Sequence, residues 1–220
     1  MLWPHSCFLC GGRSGALPLC GACAQGLPRL PAALCPICGL PASAGLPCGR
    51  CQRRPPAFDA SFAAYVYASP LRELVLAFKH GQGFGLAPWF ATAMGSALGI
   101  CGADCVVPVP LHPRRMRSRG FNPACELSRR VAATLGLPHL PQAVLREVDT
   151  PHLAGLRSRA RRSAVRGVFR CEADLTGRHV LLVDDVMTSG ATLDALARCV
   201  RGRGAARVTT LVLARTLRVR

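Results

Sequence analysis

Two adjacent acids, Asp184 and Asp185, precede a short run of small and hydroxyl-bearing residues, Thr188-Ser-Gly-Ala-Thr192. Paired carboxylates of this kind accept hydrogen bonds from neighbouring hydroxyls or hold Mg²⁺ through oxygen. A bend built of Thr, Ser and Gly offers backbone N–H groups, and the start of a helix adds partial positive charge, which together suit a phosphate. A ligand with a vicinal diol at one end and a phosphate at the other satisfies both halves. That description fits a ribose 5-phosphate. A plain helix cap needs one acceptor, whereas this stretch carries two acids and three hydroxyls.

Such chemistry needs a rigid mount. Upstream, Val180-Leu-Leu-Val183 is a run of branched apolar side chains and reads as a buried parallel strand over 180–183. Downstream, Leu193, Leu196, Ala197 and Val200 recur at three- and four-residue spacing, which predicts a helix over 193–200. The same reasoning places strands over 62–67, 105–109 and 208–214 and helices over 71–79, 86–98 and 121–135. Alternating strands and helices imply an α/β fold with a parallel sheet. Ligands of such sheets sit beyond the carboxyl ends of the strands, where Asp184 and the turn at Pro110 both fall. The uncharged stretch 81–103 is rich in glycine and carries Pro88, so a buried helix is expected there and no membrane span.

A second chemistry lies upstream. Eight of the thirteen cysteines form four Cys-x-x-Cys pairs: Cys7/Cys10, Cys20/Cys23, Cys35/Cys38 and Cys48/Cys51. Nine residues separate the first pair from the second, and nine the third from the fourth. Two thiolates spaced this way grip one ion from a tight turn, and Gly11 and Gly39 suit that turn. We expect two structural Zn²⁺ sites, one held by Cys7, Cys10, Cys20 and Cys23, the other by Cys35, Cys38, Cys48 and Cys51. Spacing alone leaves an interleaved pairing open. Four disulfides would require an export signal, and Met1-Leu-Trp-Pro-His-Ser-Cys7 does not resemble one. A reducing, cytoplasmic setting is therefore expected, with Cys101, Cys105, Cys125, Cys171 and Cys199 as free thiols. The polar, proline-bearing Gln52-Arg-Arg-Pro-Pro56 marks a boundary between a module over 1–55 and a domain over 56–220.

The net charge is +17 over 220 residues, nearly all from arginine, with Lys79 the one lysine. Metal-bound thiolates would leave that charge strongly positive. Such an excess favours a polyanionic partner or phosphate-rich ligands. Aromatic residues make up only 5% of the chain, so stacking platforms for bases are scarce.

The stretch from Val180 to Thr192 resembles the phosphoribosyl-diphosphate (PRPP) motif of type I phosphoribosyltransferases. The resemblance implies that Asp184 and Asp185 hold the ribose hydroxyls as the catalytic acids. It also implies that Val186, Met187, Thr188, Ser189, Gly190, Ala191 and Thr192 form the PRPP loop, with Mg²⁺ accompanying the diphosphate. Phe78-Lys-His-Gly81, Val107-Pro-Val-Pro-Leu-His-Pro-Arg-Arg115, Arg119-Gly-Phe-Asn122 and Arg161-Arg-Ser-Ala-Val-Arg-Gly-Val-Phe169 narrow the likeness to the ComF family. Members of that family join a cysteine module to a type I phosphoribosyltransferase domain and are associated with DNA uptake. The resemblance adds Lys79, Arg114 and Arg115 as PRPP contacts. A helix-end cation and a solvated basic face account for them equally well by residue type.

The segment 149–170 matches a loop that in the family closes over PRPP. Here the chain departs from the pattern at Leu153, Ala160, Ala164 and Pro123, changes that fall on the acceptor side. Two readings follow. The first is a transferase that breaks the C1–diphosphate bond and passes the sugar to a nitrogen acceptor. The second is a basic single-stranded-DNA binder that uses PRPP as a regulatory ligand, working with a competence helicase or other uptake proteins.

Overall fold

A computed structural model describes residues 6–43, 45–149 and 167–217. Four strands, β1 (Ala60–Val66), β2 (Cys105–Pro108), β5 (His179–Met187) and β6 (Arg207–Arg215), form one sheet in the order β1-β6-β5-β2. Every pairing in it is parallel. Two further strands, β3 (Val144–Arg146) and β4 (Phe169–Cys171), make a separate antiparallel pair.

Side-chain alternation divides the sheet into two faces. Leu181, Val183, Leu211 and Leu213 point to one side. There they meet α3 (Leu71–Lys79), α4 (Ala87–Leu98, entered through a 3-10 turn) and α6 (Pro123–Leu135). Val180, Leu182, Val208 and Val212 point to the other, where α7 (Ala191–Arg201) lays down Leu193, Leu196, Ala197 and Val200. With both faces covered, the central strands carry no polar alternation, as expected of a buried parallel sheet. Phe78 is fully buried at the hub of a ring cluster, with centroids of Phe84, Phe90 and Phe121 at 6.3, 5.7 and 5.7 Å. This packing fixes the end of α3, and hence Lys79.

The cysteine-rich segment is folded into two similar halves. In each, the residue after the second cysteine of a pair is a left-handed glycine, Gly11 at φ 72° and Gly39 at φ 66°. Its N–H donates back to the first cysteine's carbonyl, Gly11 to Cys7 and Gly39 to Cys35, both at 2.9 Å. The later pairs enter short helices, α1 (Gly21–Gln25) and α2 (Gly49–Arg53), with Cys20 and Cys48 at the N-caps. Leu19 and Leu27 of the first half join the main core beside Tyr65, and Arg29 stands 5.4 Å over the Tyr65 ring. The segment is thus packed onto the sheet domain.

Three expectations differ from the structure. The strand expected over 180–183 continues to Met187, because β6 keeps pairing with it as far as Met187↔Arg215. Both acids and the first two loop residues, Val186 and Met187, are therefore strand residues. A helix absent from the sequence reading, α5 (Pro113–Arg119), follows β2. The third difference is the β3–β4 pair at the borders of the expected loop. Leu153, Ala160 and Ala164 lie outside the described residues.

Replacing Phe78 with Ala is expected to lower unfolding free energy by about 3–5 kcal/mol, measured by denaturant titration. A change below about 1 kcal/mol would show that the ring cluster does not anchor α3.

Candidate functional site

The acids owe their placement to a mismatch in strand length. β2 stops pairing at Pro108↔Val183, whereas β5 runs four residues further, to Met187. After Val109 donates its N–H to Val183 O at 2.9 Å, the chain turns away through Pro110. Proline offers no N–H to continue a ladder. Asp184 and Asp185 are left on the stretch of β5 that has a neighbour on one side only.

Consecutive strand residues project to opposite faces. Asp185 falls on the α3 face, where it is buried and its Oδ1 pairs with Lys79 Nζ at 2.9 Å. Burial by itself would lower the Lys79 pKa, but the charges of Asp185 and Asp184 outweigh it and hold the ammonium above its usual value. Asp184 falls on the α7 face, half-buried, with Oδ1 accepting the Asp185 N–H at 2.8 Å. Burial, then the adjacent Asp185 charge, pushes its pKa up to about 7, against the pull of Lys79 and Arg146. Arg146 on β3 is a member of this group that sequence reasoning missed. Burial and the neighbouring Arg115 lower its pKa, while Asp184 and Asp149 oppose that shift.

The bend that follows has the shape of an anion cradle. Gly190 is left-handed at φ 80° and caps α7, a conformation glycine adopts without strain. Thr188 is exposed, whereas Ser189 is buried and its Oγ accepts the Ala191 N–H at 3.3 Å. Of the three hydroxyls, Ser189 therefore caps the helix from within, and Thr192 is half-buried at its first turn. A cavity of about 700 Å³ adjoins Ser189, Gly190 and Ala191 and is also walled by Arg50, Phe58 and Arg198.

On the other side, a cavity of about 640 Å³ runs past Pro110, His112, Asn122 and Arg146. His112 caps α5 by accepting the Arg114 N–H at 3.3 Å. Arg115 Nε lies 3.4 Å from Asp149 Oδ1, and Arg114 is exposed. Asn122 locks this corner: its Nδ2 donates to Val109 O at 3.0 Å while its Oδ1 caps α6, which begins at Pro123. The structure thus brings Lys79, Asp184 and Asp185 together. It sets Arg115 next to Arg146 and leaves Arg114 at the surface.

The two cysteine sets, Cys7/Cys10/Cys20/Cys23 and Cys35/Cys38/Cys48/Cys51, each gather with all sulfurs within 4.8 Å of one another. Cys10 and Cys20 sulfurs are 3.8 Å apart, and Cys38 and Cys48 sulfurs 3.6 Å. A disulfide needs about 2.05 Å. Tetrahedral zinc with bonds near 2.3 Å spaces its sulfurs by about 3.8 Å. The donors fit zinc, and pairing is sequential. Crowding by the thiols of Cys20, Cys10 and Cys7 pushes Cys23 up to about 12, a shift that a bound cation would oppose. Among the described residues the eight cysteines alone form groups of three or more metal-ligating side chains. Among these residues no helix is long and apolar enough to cross a membrane.

Family models match both halves: residues 1–52 match the double zinc ribbon domain and residues 118–218 the phosphoribosyl transferase domain. Sheet, bend and paired clusters together define a double-zinc-ribbon protein with a phosphoribosyltransferase-type domain. The chain is 34% identical over 228 residues to the DNA utilization protein YhgH of Escherichia coli (strain K12), covering 97% of this chain and 98% of that one. It is 29% identical to Competence protein F of Haemophilus influenzae, over 76% of this chain and 78% of that one. For Competence protein ComFC of Bacillus subtilis the identity is 27%, over 90% and 84%. The chain belongs to this family, the ComF family.

Elemental analysis of the purified protein is expected to give two zinc ions per chain, and Cys10→Ser or Cys48→Ser to remove one each. Loss of both ions from either single variant would contradict two independent four-sulfur sites.

Proposed function

We propose that the protein binds Mg²⁺-PRPP and transfers its phosphoribosyl group to an acceptor, in the service of DNA uptake or utilization. The single observation that carries this reading is the pair Asp184 and Asp185 at the free end of β5, directly before the Gly190 bend. A ribose phosphate offers a diol to the acids and a phosphate to the bend, which follow one another along the chain. The two-part division at residue 55 and a reducing, cytoplasmic location belong to the same reading. Relatives named for competence and DNA utilization support the process.

In this reading the backbone N–H groups of 188–192 take the 5-phosphate, and the acids take the ribose hydroxyls. Arg146 and Arg115 face the diphosphate, whose departing charge a guanidinium fork accepts well. Mg²⁺, when bound with the diphosphate, would neutralise part of that charge. As the C1–oxygen bond breaks, positive charge grows on the sugar ring, and the nearby carboxylates stabilise it. No covalent enzyme intermediate is needed, since positioning and preset charge do the work. Lys79 holds Asp185 in place through their 2.9 Å ion pair. It is therefore a positioning residue before it is a ligand contact.

A second reading, direct binding of single-stranded DNA by a basic surface, is favoured by the +17 charge. In that case affinity falls steeply with added salt, and a flat response counts against it.

Calorimetry of the zinc-loaded protein with Mg²⁺-PRPP, followed by an acceptor screen for diphosphate release, tests the proposal. Asp185→Asn is expected to weaken binding at least about tenfold, through loss of a charge-assisted hydrogen bond and of the Lys79 pair. Unchanged affinity would refute the assignment. The Asp184 carboxyl titrates at about 7 in the folded chain against an ordinary 3.8. The ionised form is the one that accepts the hydroxyls, so PRPP affinity should rise with pH through 7. It should fall about tenfold per pH unit below that. The folded state also binds the extra proton across this window, so stability at this group declines as pH rises from 3.8 to about 7. Asp184→Asn should weaken binding, flatten its pH step and raise the melting temperature at pH 8. A lower melting temperature would show that the charge is not held at a cost.

A further inference from the structure

The second cysteine cluster is tied to the phosphate bend by two arginines. Arg50 sits on α2 between Cys48 and Cys51, and its Nη2 donates to Ser189 O at 3.1 Å. Arg215, at the end of β6, is fully buried. Its Nε donates to Cys38 O at 3.0 Å, and its Nη1 donates to Met187 O at 2.9 Å and to Thr188 O. One guanidinium therefore grips a metal ligand's carbonyl on one edge and the bend's carbonyls on the other. Ser61 Oγ of β1 adds a 3.4 Å contact to Met187 Sδ. Asp194, on the first turn of α7, accepts the Ala57 N–H at 2.7 Å, tying the connecting segment to the same helix.

The direction of these bonds matters. A trans peptide is rigid and planar, with its C=O and the following N–H pointing to opposite sides. Holding the carbonyls of residues 187 and 188 toward Arg215, and that of 189 toward Arg50, sends the N–H groups of 188, 189 and 190 the other way. Successive amides turned to one side form an anion-binding concavity. The module thus helps to set the orientation of the amides that a phosphate would meet, directly through Arg50 and through the Cys38 carbonyl that holds Arg215. α2 has five residues and its buried side chain is Cys51, so metal binding supplies most of its order.

We propose that Arg50 and Arg215 are positioning residues that couple zinc in the second cluster to the bend over 187–192. Zinc occupancy of Cys35, Cys38, Cys48 and Cys51 then sets phosphate affinity at that bend. The first cluster packs against Tyr65 and the α4 side of the core instead, and serves as the internal control. The ligand's identity as PRPP rests on the function proposed above; the linkage between cluster and bend does not. By reciprocity, a ligand that binds the bend must also raise the affinity of the second cluster for zinc.

The test is amide hydrogen exchange, read by mass spectrometry on the full ligand-free chain. The forms compared are wild type, Cys48→Ser, Cys20→Ser and Arg50→Met, each with its zinc content measured. Exchange over 187–192 is expected to quicken at least about tenfold in Cys48→Ser and Arg50→Met. It should stay unchanged in Cys20→Ser, with Arg50→Met retaining both zinc ions. If Cys48→Ser also quickens exchange across β2 and β5, it has unfolded the domain, and Arg50→Met decides. Wild-type exchange at the bend in Arg50→Met, or equal quickening in Cys20→Ser, overturns the coupling. A parallel Mg²⁺-PRPP titration should show at least about tenfold weaker binding in Arg50→Met. Failure of the wild-type protein to bind PRPP would refute the proposed function, while the exchange result would still decide the coupling.

Discussion

Everything at the site depends on one strand outrunning its neighbour. β5 goes on past the point where β2 leaves the sheet, and β6 alone keeps it straight. Inside the ladder, two consecutive carboxylates would face packed apolar layers on both sides, at a prohibitive desolvation cost. At the free end the same two residues stay aligned by main-chain pairing, Asp185 buried against Lys79 and Asp184 only half-buried. The prolines that end β2 and the Asn122 bridge to Val109 make the gap permanent.

The acids then have to be kept from repelling each other and water from relaxing them. The strand's alternation separates their side chains, and Lys79 neutralises the more enclosed one. What is left over accumulates on Asp184, whose carboxyl sits near neutrality rather than in the usual acidic range. A site held this way is unstable for the empty protein and is relieved by hydroxyl donors or a cation. That trade is common where binding chemistry and packing compete for the same residues.

Much of this was legible in the residues, for identifiable reasons. The cysteine sets follow from Cys-x-x-Cys spacing, which geometry ties to one ion, although spacing did not choose between sequential and interleaved pairing. The sheet strands follow from apolar runs, because a strand covered on both faces can hide nothing polar. The end of β5 was misplaced since side chains turn polar at Asp184 while main-chain pairing, blind to side chains, continues. α5 escaped because Pro113-Arg-Arg-Met-Arg-Ser-Arg119 has no apolar stripe. Pro113, the His112 cap and left-handed Gly120 fix that helix instead. Arg146 and Arg215 were missed for a plainer reason. In a chain with 28 basic residues, nothing local distinguishes an arginine at a site from one in solvent.

The interior guanidinium of Arg215 has one more implication, for heredity rather than chemistry. Its acceptors come from two modules: the Cys38 carbonyl from one, the Met187 and Thr188 carbonyls from the other. A lineage that lost or exchanged its metal-binding head would deprive the Arg215 Nε of its Cys38 acceptor. A head taken from another gene would have to bring a matching acceptor for that guanidinium.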